Sequence, residues 1–141
     1  MLCCTQLTVS NHVAALDDPL MVSAVLPWQS VLRSDTLRWV LCATDRCFNH
    51  GETLASFFRA AKVLPVERGG GLAQWGLAVA ENKIGGGDWV HVFPEGARSY
   101  TRSVQPCKRG VGRLLVGAVQ EVWLARLTTV RWAACTALVC G

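Results

Sequence analysis

Gly87-Asp88-Trp89-Val90-His91-Val92-Phe93-Pro94-Glu95-Gly96 decides how the rest of the chain is read. Residues 89–93 are a continuous apolar run that breaks at Pro-Glu-Gly. A short run of this kind, bounded by turn residues, is the pattern of a strand buried on both faces. Gly85-Gly86-Gly87 just before it offers the positive φ that ends a helix. Working outward, residues 72–84 predict a helix by their Ala, Leu and Trp content. Residues 62–66 predict a short strand ending near Arg68, and Gly69-Gly70-Gly71 a flexible turn. Residues 52–61 place Leu54, Phe57, Phe58 and Ala61 on one face of an amphipathic helix. Residues 37–48 are ambiguous, with Leu37, Val40, Leu41 and Thr44 at helical period. Residues 6–10 read as a buried strand, 19–26 as a short helix stopped by Pro27, and 110–119 as another helix. Strands alternating with helices favour an α/β layered domain.

The first strand leads into Asn11-His12-Val13-Ala14-Ala15-Leu16-Asp17. An imidazole and a carboxylate stand there at i and i+5. A carboxylate that holds one ring nitrogen leaves the other free as a general base. The plainer alternative is a helix N-terminus, with Asp17 or Asp18 as cap, Pro19 in the first turn, and His12 a half-buried loop residue.

Composition bounds the rest. The 141 residues suit one domain, apolar at 51% with only 17% charged. No run of about 18 apolar residues is free of charge, so no membrane span is evident. Six Trp and a net charge of +4 fit a protein resting on an anionic lipid surface, or equally one with a slightly basic face. The seven cysteines lack zinc-ligand spacing and read as reduced thiols of an intracellular protein. The N-terminus has neither a basic leader nor an Arg/Ser-rich presequence.

Together, Thr8-Val9-Ser10-Asn11-His12, Asp17-Asp18-Pro19, the 87–96 segment and Lys108-Arg109-Gly110-Val111-Gly112-Arg113-Leu114 resemble the glycerophospholipid acyltransferase superfamily. The likeness is to its tafazzin-like branch, including plant sequences of the N-acylphosphatidylethanolamine synthase type. It covers roughly residues 5–117. Leu37-Arg38-Trp39, Phe57-Phe58 and residues 62–69 also fall where that family has similar residues.

The resemblance implies an α/β fold with a mixed central sheet flanked by helices, and an acyltransferase working at a membrane surface. Its implied base is His12, oriented by Asp17, acting on an acceptor hydroxyl without a Ser or Cys nucleophile, a metal or a cofactor. Arg68 is the implied phosphate ligand, with a solvated loop arginine as the alternative. Glu95 and Gly96 would meet the substrate, or form an ordinary turn. Arg98, Lys108 and Arg109, together with Arg102 and Arg113, would contact lipid phosphates, or form a solvated face. His50 and His91 read as structural, His91 as a satisfied core residue.

Phospholipid and lysophospholipid substrates are implied, with peripheral membrane contact, no nucleic acid, and a mitochondrial membrane location. Acylation from acyl-CoA and N-acylation of an ethanolamine headgroup share the same blocks. Residues 121–141 lack the family's fourth block, an apolar strand with proline. The expectation is therefore an acyltransferase-like unit over 1–120 with an unmatched tail, short at both ends. An inactive lipid- or protein-binding fragment is the reading from another class.

Overall fold

A computed structural model describes residues 6–12, 27, 29, 36–101 and 103–128, with backbone only from 121 to 128. Its strands are β1 (Gln6–Val9), β2 (Trp39–Ala43), β3 (Val63–Val66) and β4 (Trp89–Val92). Its helices are α1 (Thr44–Cys47), α2 (Glu52–Ala60), α3 (Trp75–Gly85) and α4 (Arg109–Thr128). The strands form one sheet in the order β1-β4-β2-β3, and every pairing is parallel. Parallel neighbours need crossovers. Those from β2 to β3 and from β3 to β4 carry α1 with α2, and α3, respectively. The α/β sheet flanked by helices is thus present, and its described strands all run one way.

Alternation along the strands gives the sheet two different faces. Leu41, Leu64, Val90 and Val92 meet Leu77, Ala80 and Ile84 of α3 and Leu114 of α4. Val40 and Val63 face the other way, against Cys47 of α1, Phe48, Phe58 of α2, Ala61 and Phe93. The register sets His91 opposite Thr8 on one side and Val40 on the other, so both polar residues share this second face. Gly87, at φ 86°, stops α3 and turns the chain into β4.

Several expectations are corrected. The ambiguity over residues 37–48 resolves into β2 at Trp39–Ala43 and α1 at Thr44–Cys47. β2 has a strand on each side and a packed layer on each face, so its apolar residues show no alternation. β1 lies at the edge of the described sheet and is half-buried. In α2 the inward stripe is Ala55, 2% exposed, with half-buried Phe58. Leu54 and Phe57 point outward, Phe57 being 63% exposed, because α2 touches the sheet through a narrower face than its composition implies. Cys42 and Cys47 are paired as a disulfide with Cα atoms 6.4 Å apart. The tight β2–α1 turn brings them within bridging reach, against the expectation of thiols alone. α4 runs unbroken past residue 120 to Thr128. Both edges of β4 are taken, by β1 and β2. The helix expected over 19–26 and the tail beyond 128 lie outside the described residues.

Candidate active site

Parallel strands deliver all their C-terminal ends to one edge of the sheet, where open α/β sheets bind ligands. Four segments meet there: Ser10-Asn11-His12 after β1, Thr44-Asp45 at the start of α1 after β2, Glu67-Arg68 after β3 and Phe93-Pro94-Glu95-Gly96 after β4. β1 and β4 are neighbours, so the histidine turn and the Pro-Glu-Gly turn lie side by side. The Ser10 N–H donates to Val92 O at 3.3 Å, carrying the pairing past the strand end. The half-buried His12 ring then stacks on Phe93, centroids 4.3 Å apart and planes 26° apart. Its carbonyl accepts the Ser99 N–H at 2.7 Å, and Ser99 is itself buried and donates its hydroxyl to Ser103 O at 2.7 Å.

The Pro-Glu-Gly turn is closed by the Gly96 N–H donating to Phe93 O at 3.2 Å. Gly96 has φ +67°, and a Cβ there would stand 3.2 Å from Lys108 Cγ, so both backbone and neighbour favour glycine. The Lys108 N–H donates to Pro94 O at 2.7 Å. The basic segment therefore folds back onto the turn, with Arg98 half-buried and Lys108 and Arg109 exposed. Glu95 is only 3% exposed. Among the described residues, neither of its carboxylate oxygens has a hydrogen-bond partner. A buried polar group left in this state costs stability and calls for an explanation, of which a bound group is one.

Beneath His12 lies a network that sequence reasoning did not assemble. His91 is fully buried. Its Nδ1 is 2.8 Å from Thr8 Oγ1 and its Nε2 3.2 Å from Ser10 Oγ. The Trp89 Nε1–H donates to Thr8 Oγ1 at 2.8 Å. Burial, reinforced by the positive charge of nearby Arg38 and by His12, pushes the His91 pKa down to about 4. Arg38 is buried too, and desolvation lowers its own pKa. The signal was the period of two: Thr8, Ser10 and His12 alternate on one strand and its exit, His91 and Phe93 on the next.

The other candidates fall in different places. Arg68 shares the edge but lies beyond β3, two strands from β4, a span of roughly 10 Å. It pairs with Asp45 at 3.3 Å. Its turn is braced by Gln74, which accepts the Glu67 N–H at 2.7 Å and donates to Gly71 O at 2.6 Å. Arg113 leaves the basic run altogether. It grips Glu81 of α3 through Nε–Oε1 at 2.8 Å and a second bond at 2.6 Å, and donates to Leu72 O. Asp17 and Arg102 lie outside the described residues, so the His12–Asp17 geometry is not described. No helix among the described residues is long and apolar enough to cross a membrane.

Comparison with known proteins places this arrangement. The acyltransferase family model matches residues 5–130. N-acylphosphatidylethanolamine synthase of Arabidopsis thaliana is 42% identical over 90 residues, which is 64% of this chain and 31% of that protein. Tafazzin of Drosophila melanogaster is 37% identical over 108 residues, 77% of this chain and 28% of the relative. Taffazin of Dictyostelium discoideum is 34% identical over 109 residues, 77% of this chain and 38% of the relative. The chain thus spans less than two fifths of the length of these relatives. No solved structure matches it. With a matched span that takes in every described strand and the whole strand-end edge, this chain belongs to the acyltransferase family.

Proposed function

We propose that this chain carries the acyl-transfer site of a tafazzin-like phospholipid acyltransferase, moving an acyl group from a phospholipid to a lysophospholipid. The observation that carries the reading is that His12, stacked on Phe93, and the buried carboxylate of Glu95, unpartnered among the described residues, stand on neighbouring strand ends. His12 removes the proton of the acceptor hydroxyl as its oxygen attacks the donor's ester carbonyl. The tetrahedral intermediate collapses, the ester C–O bond breaks, and the departing glycerol oxygen takes that proton back. A new ester and a new lysophospholipid result, with no cofactor consumed. Asp17 is the proposed orienter of the imidazole. Glu95 accepts a hydrogen bond from a substrate hydroxyl, and Gly96 lets the substrate approach the backbone.

The cations form the headgroup side. Arg98, Lys108 and Arg109 border the Pro-Glu-Gly turn, and guanidinium and ammonium groups suit a phosphodiester. Arg68 supplies a second contact once its exposed pair with Asp45 yields to a phosphate. Tyr100 and Val104, 85% and 74% exposed between these cations, fit peripheral contact with an anionic membrane surface. By family, that surface is a mitochondrial membrane.

The test is acyl transfer in vesicles without CoA, from labelled phosphatidylcholine to a lysophospholipid. Product formation supports the reading, and no transfer by the folded chain to any lysophospholipid ends it. Arg68→Ala is expected to raise apparent KM with little change in kcat. A loss confined to kcat contradicts its headgroup role. The plant relative's name motivates a second reading, in which the acceptor is the amine of phosphatidylethanolamine. Offering both acceptors in one vesicle and resolving the products separates the two.

A further inference from the structure

We propose that His91 is a positioning residue for His12: gripped by Thr8 and Ser10, it fixes the Phe93 ring on which His12 stacks. The inference rests on the reading of His12 as the base. Five contacts carry it. Trp89 donates to Thr8 at 2.8 Å, Thr8 and Ser10 hold the two nitrogens of His91, and the His91 ring meets Phe93 edge-on, centroids 4.7 Å apart at 85°. Phe93 in turn carries the His12 ring at 4.3 Å. With Trp89 as donor to Thr8, we assign the Thr8 hydroxyl as donor to Nδ1 and the Nε2–H as donor to Ser10, which satisfies the ring.

Packing alone does not account for this residue. Its lateral neighbours on the same face are Thr8 and Val40, and Val63 lies next to Val40. A valine at 91 would fill the layer without desolvating an imidazole. The histidine does what a valine cannot. It ties the ring orientation of β4 to the exit of β1, because Ser10 is only two residues from His12. Burial keeps the ring neutral. It therefore adds no positive charge under His12, where a cation would oppose formation of the imidazolium that general-base catalysis requires. Ser99 secures His12 separately, donating its N–H to the His12 carbonyl, so the base is held at its backbone and at its ring by different residues.

The experiment compares the 141-residue chain with Ser10→Ala and His91→Gln, by nuclear magnetic resonance and vesicle acyl transfer. Stacking on Phe93 shifts the His12 ring protons upfield of those of His50, and this ring-current shift reports the placement without any turnover. Both variants are expected to lose about half or more of that shift. In the same samples kcat falls about tenfold or more with KM nearly constant, as misplacing a reacting group does. Ser10→Ala removes one contact at a half-buried position, so it tests the inference even where His91→Gln fails to fold. An unchanged His12 shift with unchanged kcat per folded molecule overturns the inference, whatever happens to the melting temperature. A lost shift with unchanged kcat overturns the role of His12 as base. His12→Ala retaining full transfer condemns that role directly and leaves the ring placement to the resonance data.

Discussion

Val90 and Val92 point from β4 into one side of the domain, and His91 and Phe93 into the other. On the first side every fully buried residue is aliphatic: Leu64, Leu77, Ala80, Ile84 and Leu114 close around the valines, with the indole of Trp39 packed against them. On the second side stand a fully buried imidazole, a buried arginine and a stacked histidine. One strand thus serves a scaffold and a polar site at once, by the period of two. The contrast teaches where stability and chemistry are separable. The aliphatic face gains from burial at roughly 25 cal/mol per Å². The polar face spends part of that gain to hold desolvated groups in fixed orientation.

The comparison can be broken by substitutions on either face. The largest stability effect belongs to the aliphatic side. Ile84→Ala, at a fully buried position, is expected to destabilise by about 2–5 kcal/mol, measured by urea unfolding. A loss below about 1 kcal/mol would mean that α3 does not anchor the core.

On the polar side the comparable effect comes from protons. His91 titrates at about 4 in the folded chain against an ordinary 6.5. Between those values the unfolded chain binds a proton that the folded chain excludes. Stability therefore falls as pH drops from about 6.5 to about 4, by about 1.4 kcal/mol per pH unit, and is flat for this group above 6.5. Arg38 and His12 face the same ring, so the comparison to make is the native chain against His91→Gln, whose acid slope should be shallower. Equal slopes in the two chains would refute the buried neutral imidazole.

A smaller effect is expected where α3 meets β3. A Cβ on Gly76 would lie 2.0 Å from Pro65 O, so Gly76→Ala forces the helix away from the strand. The expected cost is about 1–3 kcal/mol, read as a lower melting temperature; an unchanged one would show that α3 has room to shift. Phe57→Ser marks the bottom of the range. Phe57 is 63% exposed, and its loss should change stability by no more than about 0.5 kcal/mol. A larger loss would restore the broad apolar face first read for α2.

How much of this was legible in the sequence varies with the distance over which each feature is decided. The strand at 89–92 and the break at Pro-Glu-Gly are local, and both were readable. So were β3 and the core of α3. The first turn of α3 was not, because residues 72–74 are helical in composition but serve the Gln74 brace. β2 was ambiguous because burial on both faces removes the alternation that identifies a strand. The partners of two arginines are decided at a distance. Arg113 finds Glu81 32 residues away and Arg68 finds Asp45 23 residues away, and neither pair has a local signature. His91 was placed correctly in the core, but its link to His12 needed the β1–β4 pairing across more than eighty residues.

The central claim is that chemistry resides on the polar face and stability on the aliphatic one. Vesicle acyl transfer by His12→Ala and Ile84→Ala, each expressed per folded molecule, tests it most directly. The account predicts that His12→Ala stays folded and loses on the order of 10²–10⁴ in rate, while Ile84→Ala, though less stable, turns over like the native chain. Full activity in folded His12→Ala, or a matching loss of turnover in folded Ile84→Ala, would contradict it.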